Sequence, residues 1–421
     1  MTTIAVHTLR CGMPLITEVN PAVRSASVCW LLPVGSAADP ADREGLSTLL
    51  SELIFRGAGA NDSRAQADAL DALGLARGAD VGGQFLRLTA TMLGDRVEPA
   101  LALLADIARA PRLDPDAVEP ARALALQALA GLKDQPQERA GILLSQRHNP
   151  PPINRSGLGT EAGLRSATPD DLARQWSARA RPVGSILAVA GAIDPVALAR
   201  RLDALLDGWT GEAALVPAGP SLTRGTYLHE PDDSAQVQIL LAHDAPREAD
   251  PDSILERIVA SVLSGGSSSR LFTEVRERRG LCYSVSASYS AEKDWGRVTG
   301  YVGTTPEKAQ QSLDVLLAEL ARIATPAGAV TLEEFARAVV GYKSRLVFSG
   351  ESTAARAGAL ASDWHRLGRA RALSDLASRV EAVTLPEVNA YLRRRAPGAT
   401  TIVTLGPSPL TPPSGIPSPT V

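Results

Sequence analysis

The sequence predicts an α+β protein of two duplicated domains, each a mixed sheet covered by helices, and three observations predict it. The chain has 421 residues, 45% of them apolar, which is too long for one ordinary core and apolar enough to be globular. Segments that alternate with period two are interleaved with segments of helical period. The second half also repeats the first, with residue groups recurring in the same order at one nearly constant spacing.

The first half opens with strands. Ile4 and Val6, then Leu15 to Glu18, then Ala26, Val28, Trp30 and Leu32 after a turn at Asn20-Pro21, place strands across residues 3 to 33. A loop from Gly35 to Asp42 leads into a helix over 45 to 57, where Leu46, Leu49, Leu50, Leu53 and Ile54 form one apolar stripe. Gly57 to Asn61 ends it, and Asp62-Ser63 starts an alanine-rich helix to Leu73. After Gly82-Gly83 a strand runs from Phe85 to Leu93 and a helix from Val97 to Ala108. Asp114 or Asp116 is expected to cap the next helix, which runs to Leu132 and is broken near Pro136. A helix over 137 to 146 and an irregular proline-rich stretch, Asn149 to Asn154, come next. Thr168-Pro169-Asp170-Asp171 opens a helix, because a hydroxyl cap, a proline and acids suit the first turn. The strand Ile186 to Ala190 then stops at Gly191.

The second half restates this order. Ala235, Val237, Ile239 and Leu241 share one strand face, helix 253 to 263 stands where helix 45 to 57 did, and Trp295 to Thr304 with helix 306 to 323 mirrors 85 to 108. Arg139-Ala140-Gly141 with Ser145 returns as Arg356-Ala357-Gly358 with Ser362. Thr168 with its helix and Ile186 to Gly191 return as Thr384 with its helix and Ile402 to Gly406. The domains expected are therefore 1–209 and 226–406, joined by a Gly-, Ala-, Pro- and Ser-rich linker over 210–225 and followed by a disordered Pro/Ser tail over 407–421.

A net charge of −3 gives no electrostatic reason to expect nucleic acid, and no apolar run reaches the ~18 residues of a membrane span. Cys11, Cys29 and Cys282 are an odd number without paired spacing, so reduced and buried thiols are expected. His7, His148, His229, His243 and His365 are scattered, which argues against a local histidine metal motif. Met1 to Leu9 reads as a strand without a basic-then-apolar leader. The expected location is cytoplasmic, or periplasmic where a leader has been removed. Gly265-Gly266-Ser267-Ser268-Ser269 follows a helix and lacks the Gly-Lys-Ser/Thr ending of a phosphate loop, so it reads as a flexible turn. Trp176, Trp209 and Trp364 read as packing residues.

Opposite the apolar stripe of helix 45 to 57, Thr48, Ser51 and Glu52 stack on one face, the geometry two metal-binding histidines and a catalytic carboxylate need. The segment resembles the pitrilysin family, which includes insulin-degrading enzyme and mitochondrial processing peptidase and carries an inverted His-x-x-Glu-His zinc motif. There it reads roughly Gly-Leu-Ala-His-Phe-Leu-Glu-His-Met-Leu-Phe-Lys-Gly. Gly45, Leu46, Leu50, Phe55 and Gly57 match, while Thr48, Ser51 and Glu52 stand where His, Glu and His are expected. The family's third ligand, a glutamate further along the same domain, falls on Ala128. The resemblance thus implies a zinc site emptied at four positions, with no metal or other cofactor bound by this chain.

Ser268-Ser269-Arg270-Leu271-Phe272 leads into Val275-Arg276-Glu277-Arg278-Arg279-Gly280-Leu281-Cys282-Tyr283-Ser284-Val285, which resembles the family's second-domain motif. There an arginine and a tyrosine seven residues apart hold the substrate backbone near the scissile bond, and Arg276 and Tyr283 match in type and spacing. Read on residue types alone, Arg276 next to Glu277 forms a solvated ion pair and Tyr283 shares a buried strand face with Leu281 and Val285. Arg270 is expected to brace the loop. The resemblance implies two domains of the metallohydrolase fold facing each other across a cavity. It further implies a chain inactive alone, the non-catalytic subunit of a heterodimeric zinc endopeptidase whose homologous partner holds the zinc and whose substrate is a peptide. The competing expectation is a non-proteolytic scaffold, as in the core subunits of respiratory complexes that resemble this family.

Overall fold

The computed structural model describes residues 3–417. In chain order the first half carries strands β1 (Thr3–Thr8), β2 (Pro14–Val19), β3 (Ser25–Leu32), β4 (Ala76–Val81), β5 (Leu86–Leu93) and β6 (Ile186–Gly191). Its helices are α1 (Leu46–Leu53), α2 (Ser63–Ala72), α3 (Val97–Arg109), α4 (Val118–Gly131), α5 (Pro136–His148), α6 (Glu161–Ser166), α7 (Pro169–Arg179) and α8 (Pro195–Leu205). The second half carries β7 (Tyr227–Pro231), β8 (Val237–Ala245), β9 (Cys282–Ala291), β10 (Gly296–Thr304) and β11 (Thr401–Gly406). With them come α9 (Ser253–Ser264), α10 (Ala309–Arg322), α11 (Leu332–Glu351), α12 (Thr353–Leu367), α13 (Leu373–Ala382) and α14 (Leu385–Arg394). Among the described residues no helix is long and apolar enough to cross a membrane.

Two mixed sheets result, ordered β1-β2-β6-β3-β5-β4 and β7-β11-β8-β10-β9. Apart from β1, which adds a hairpin to the first, they have one topology. A strand parallel to its neighbour (β2 on β6, β7 on β11) is followed by three antiparallel pairings. The duplication expected from the sequence is therefore a duplication of strand order.

The compact units are not the contiguous segments 1–209 and 226–406. The first unit is built from the chain up to Gly131, Pro151–Gly219 and Ser349–Ala370; the second from Leu132–Pro150, Pro220–Phe348 and the chain from Arg371 on. Each half of the sequence thus gives one helix to the unit formed mainly by the other half. In the first unit α12 packs on β3 and β6, with Ala357, Leu360 and Ala361 buried against Cys29, Leu31 and Ala188. On the opposite face Val28, Trp30 and Leu32 meet α1, α3 and α8. In the second unit α5 packs on β8 and β11, with Ala140 and Leu144 against Leu240 and Val403, and Ile239 and Leu241 face α9 and α10. Covered on both faces, β3 and β8 are buried along most of their length.

This exchange accounts for the repeated Arg-Ala-Gly. Ala140 and Ala357 are fully buried against the sheets, where a small side chain lets the helix approach closely. Beside them each arginine reaches a carboxylate on the equivalent strand, Arg356 to Glu18 on β2 and Arg139 to Glu230 on β7, with Asp232 just beyond.

Helix ends follow the sequence signals in most places. Thr168 and Thr384 each form a capping box, with Asp171 and Glu387, and Asp62 caps α2. Asp114 makes no side-chain cap, and a tight turn over Pro115–Ala117 precedes α4. Helix α1 is capped from a distance. The Asp39 carboxylate accepts from the Gly45 N–H (2.9 Å), the Ser47 N–H (3.1 Å) and the Ser47 hydroxyl (2.6 Å), an arrangement that Gly45 permits by taking φ of 124°. Burial pushes the Asp39 carboxyl up to about 6 against the pull of these bonds. Asp39→Ala is expected to cost about 1–2 kcal/mol, read as a lower urea midpoint.

The stretch expected to be a disordered tail is ordered as far as it is described. Leu410 and Ile416 pack on the second unit's core, the Leu410 N–H donates to the Tyr227 hydroxyl (2.7 Å), and the Tyr227 N–H donates to the Pro417 carbonyl. Residues 418–421 lie outside the described residues. The three thiols are free, but only Cys29 is buried; Cys11 and Cys282 are half-buried. Trp176 and Trp209 are buried, Trp209 edge-on to Trp30 at 5.9 Å, and Trp364 packs beside α12's core contacts.

Within the second unit a polar network holds α5 and α14 to β8. Glu256, fully buried, accepts from Arg395 and from the Tyr391 hydroxyl. Arg395 also lies 3.4 Å from Nε2 of buried His243, whose Nδ1 bonds the Asp244 carbonyl. His148, at the end of α5, bonds Thr401. Burial, reinforced by Arg395, holds the His243 imidazole down at about 4. Because the folded state binds this proton less well than the unfolded chain, the stability is present above the ordinary histidine range and is lost as pH falls through it. A loss of about 2 kcal/mol from His243 by pH 5 is expected. The slope is read as the difference in urea midpoint between the wild type and His243→Gln from pH 7 to 5, because the raised Asp39 carboxyl pulls the opposite way in both.

Candidate functional site

The three positions that stand where zinc ligands are expected, Thr48, Glu52 and Ala128, and Ser51, which stands where the catalytic glutamate is expected, lie on α1 and α4, which pack together in the first unit. The stripe Leu46, Leu49, Leu50, Leu53 and Ile54 is fully buried, as expected. On the other face the Thr48 hydroxyl donates to the Gly157 carbonyl (2.7 Å) and the Ser51 hydroxyl to the Thr48 carbonyl (2.7 Å). Glu52 and Ala128 are exposed. Zinc takes three deprotonated N, S or O donors and keeps a fourth position for water. Two hydroxyls already committed to backbone carbonyls, one carboxylate and a methyl group do not fit it.

The second candidate pair lies in the second unit. Beyond α9 and the glycine-serine turn, Phe272–Glu277 forms a π-helical turn; Gly280 takes φ of +57°, and β9 begins at Cys282. The turn is braced. The Gly280 N–H donates to the Arg276 carbonyl (2.9 Å), the Leu281 N–H to the Val275 carbonyl (3.0 Å), and Lys308 donates to the Gly280 carbonyl (2.7 Å). Arg270 is 7% exposed and forks onto Glu334 while donating to the Gly328 and Ala329 carbonyls, the bracing role expected of it.

Arg276 is exposed, and its guanidinium lies over the Phe272 ring at 4.8 Å. The ion pair expected with Glu277 does not form. Arg278 and Arg279 pair with Glu274, whose carboxyl these contacts hold below the usual range, Arg279 foremost. Among the described residues Arg276 forms no ion pair, so its donors face solvent.

Tyr283 does not join the core either. It is 71% exposed, whereas Leu281 is 3% exposed. Thr304 pairs with Cys282 and Gly303 with Ser284, so Tyr283 is the extra residue of a β-bulge. A bulge breaks the period-two alternation and re-aims the side chain, which is why the strand-face expectation fails here. The strand it opens, β9, is the sheet edge. Burial pushes the neighbouring Cys282 thiol up, with the Arg276 charge pulling the other way, so the thiol stays protonated near neutral pH and is a weak nucleophile.

The sequence reading missed Phe272 beneath Arg276 and Glu274, which occupies the two competing arginines. The four-residue spacing from Phe272 to Arg276 and from Glu274 to Arg278 was the available signal. Arg276 and Tyr283 fall on one short stretch from the π-helical turn to the edge strand, in the second unit; Thr48, Ser51, Glu52 and Ala128 fall in the first.

Comparison with known proteins agrees with this architecture. Residues 15–154 match the family model described as insulinase (peptidase family M16), and residues 166–341 the one described as the peptidase M16 inactive domain. An uncharacterized zinc protease of Mycobacterium leprae is 28% identical over 91% of this chain and 87% of its own length. Among solved structures, a peptidase M16 inactive domain from Pseudomonas fluorescens superposes with a TM-score of 0.86 at 20% identity, covering 98% of this chain and 99% of its own. A chain of complex III2 from Candida albicans superposes with a TM-score of 0.80 at 18% identity, covering 96% of each. With both domain types matched in order and the duplicated sheets in place, the chain belongs to the M16 peptidase family, the pitrilysin-like family expected from its motifs.

Proposed function

We propose that this chain is the non-catalytic subunit of a two-chain zinc endopeptidase and that Arg276 and Tyr283 hold the substrate's backbone at the zinc of a homologous partner subunit. The observation that carries the reading is the state of that pair. An arginine exposed on a braced turn, propped on an aromatic ring while its neighbours occupy the nearby carboxylate, has no structural task that uses its donors. A tyrosine set out of register at the start of an edge strand likewise makes no side-chain hydrogen bond among the described residues.

Chemically, the guanidinium offers a rigid fork of N–H donors and the phenol one O–H donor, the complement of a peptide carbonyl. Donors fixed before the reaction lower the energy of the oxyanion that develops on that carbonyl. The donor set at Thr48, Ser51, Glu52 and Ala128 does not fit zinc, so we assign the metal to the partner. The name of the Mycobacterium leprae relative, a zinc protease, and that of the Pseudomonas fluorescens structure, an inactive domain, are in keeping with this division.

The chain purified alone should bind no stoichiometric zinc and leave a quenched peptide uncut, whereas the complex with a zinc-bearing family member should cleave it. Zinc and turnover in the isolated chain would overturn the reading. The fold shared with a chain of complex III2 favours the second reading, a scaffold without a part in cleavage. That reading predicts an assembled complex whose turnover is indifferent to Arg276.

A further inference from the structure

The second unit contains a cavity of ≈ 650 Å³ between the first turn of α5 and the face of its sheet, and the two units differ at this place. In the first unit Ser352 caps α12 by accepting from the Ala355 N–H (3.2 Å). The buried Thr353 hydroxyl meets Ser27 (2.8 Å), and Ser27 meets Thr91 (2.8 Å), so the hydroxyls over the sheet satisfy one another. In the second unit the equivalent helix, α5, starts at Pro136, and no side chain accepts from its first N–H groups.

The cavity floor below is formed by Leu240 together with the polar side chains of Gln238, Thr299, Tyr301, Ser286 and Ser288. Gln238 is 1% exposed; its Oε1 accepts from the Tyr301 hydroxyl (2.8 Å), and among the described residues its Nε2 makes no hydrogen bond. Ser286, Ser288 and Thr299 make no side-chain hydrogen bond among the described residues. The helix start, without a side-chain cap, and the buried amide therefore both line this space, and Glu138 lines it beside them.

We propose that this cavity is a binding subsite for the carboxamide side chain of a peptide's glutamine or asparagine. Its donors call for an oxygen acceptor, and the hydroxyls and Glu138 call for an N–H donor. A carboxylate ligand is opposed by Glu138, and an ammonium by the helix N-terminus and the Gln238 amide. An apolar side chain leaves all of these groups unpaired. A carboxamide brings one acceptor and two donors on a single planar group. The proposal rests on the reading of the chain as a peptide-binding subunit, but not on Arg276.

Gly141 on α5 lines the same cavity, and a Cβ built there meets nothing within 4 Å, so Gly141→Leu fills the space while favouring the helix. Fluorescence anisotropy with the purified full chain would compare three labelled peptides of one length whose central pair is Gln-Gln, Glu-Glu or Leu-Leu. The expected result is at least tenfold tighter binding of the Gln-Gln peptide. That preference should be lost in Gly141→Leu, shown folded by circular dichroism, and in Ser288→Leu on the exposed strand, and be kept in Arg276→Ala. Equal affinity for the three peptides, including no measurable binding of any, overturns the proposal, as does wild-type preference in Gly141→Leu. If the preference holds while turnover of the two-chain complex ignores Arg276→Ala, the subsite stands and the role proposed for Arg276 falls. The reverse pattern removes the subsite and leaves that role in place.

Discussion

Arg276→Ala is expected to lower the turnover of the two-chain complex about 100-fold, equivalent to about 3 kcal/mol of lost transition-state stabilisation, while assembly and folding stay unchanged. The fold has little to lose there. The side chain is exposed and forms no ion pair among the described residues, and its stacking on Phe272 is worth only about 0.5–1 kcal/mol. Catalysis has more to lose, because a charged fork held over a braced turn loses no orientation when the carbonyl oxygen gains charge. Tyr283→Phe removes one neutral donor and should cost about tenfold. The informative readout is the division between kcat and KM. An interaction realised only in the transition state lowers kcat and leaves KM in place, whereas simple substrate tethering raises KM. Turnover unchanged in Arg276→Ala would instead support the scaffold reading.

The largest stability effect is expected at the contact that docks α12. Arg356 and Glu18 are 5% and 4% exposed, with Nε 2.9 Å and Nη2 2.5 Å from one carboxylate oxygen. Removing one partner strands a buried charge, so Arg356→Ala or Glu18→Ala should cost about 3–5 kcal/mol, seen as a lower urea midpoint for the first unit. The double replacement by leucine should recover much of that loss, since the desolvation of both ions disappears together with their attraction. At the equivalent contact Arg139 is 28% exposed and its partners 35% and 17%. Solvent screens that pair, and Arg139→Ala should cost about 1 kcal/mol and depend on salt. A loss at Arg139 as large as at Arg356 would contradict the difference in burial on which both expectations rest.

Much of the fold was legible because it depends on near neighbours. Asp62, Thr168 and Thr384 cap their helices through side chains that reach only three residues along the chain. Strands β3 and β8 declare themselves by alternation, and the stripe of α1 by its helical spacing. Strand β4, Ala76–Val81, went unread because an edge strand with partly exposed faces has no apolar alternation to read. The bulge at Tyr283 was unreadable for a related reason. The extra residue is defined by what stands opposite it, Gly303 and Thr304, and that register is a property of two strands rather than one.

By itself the sequence determined many of the helices and strands, the duplication, the family, the residue types at the four positions of the zinc motif and its third ligand, and the spacing of Arg276 and Tyr283. Only the tertiary structure decided that 132–150 and 349–370 leave their own halves, that the repeated arginines anchor those helices, and that Arg276 and Tyr283 are exposed rather than engaged. The physical reason is range. Capping and periodicity act over one or two turns of chain, whereas burial, ion pairing and strand register are set by groups that the sequence holds hundreds of residues apart, as with Glu18 and Arg356.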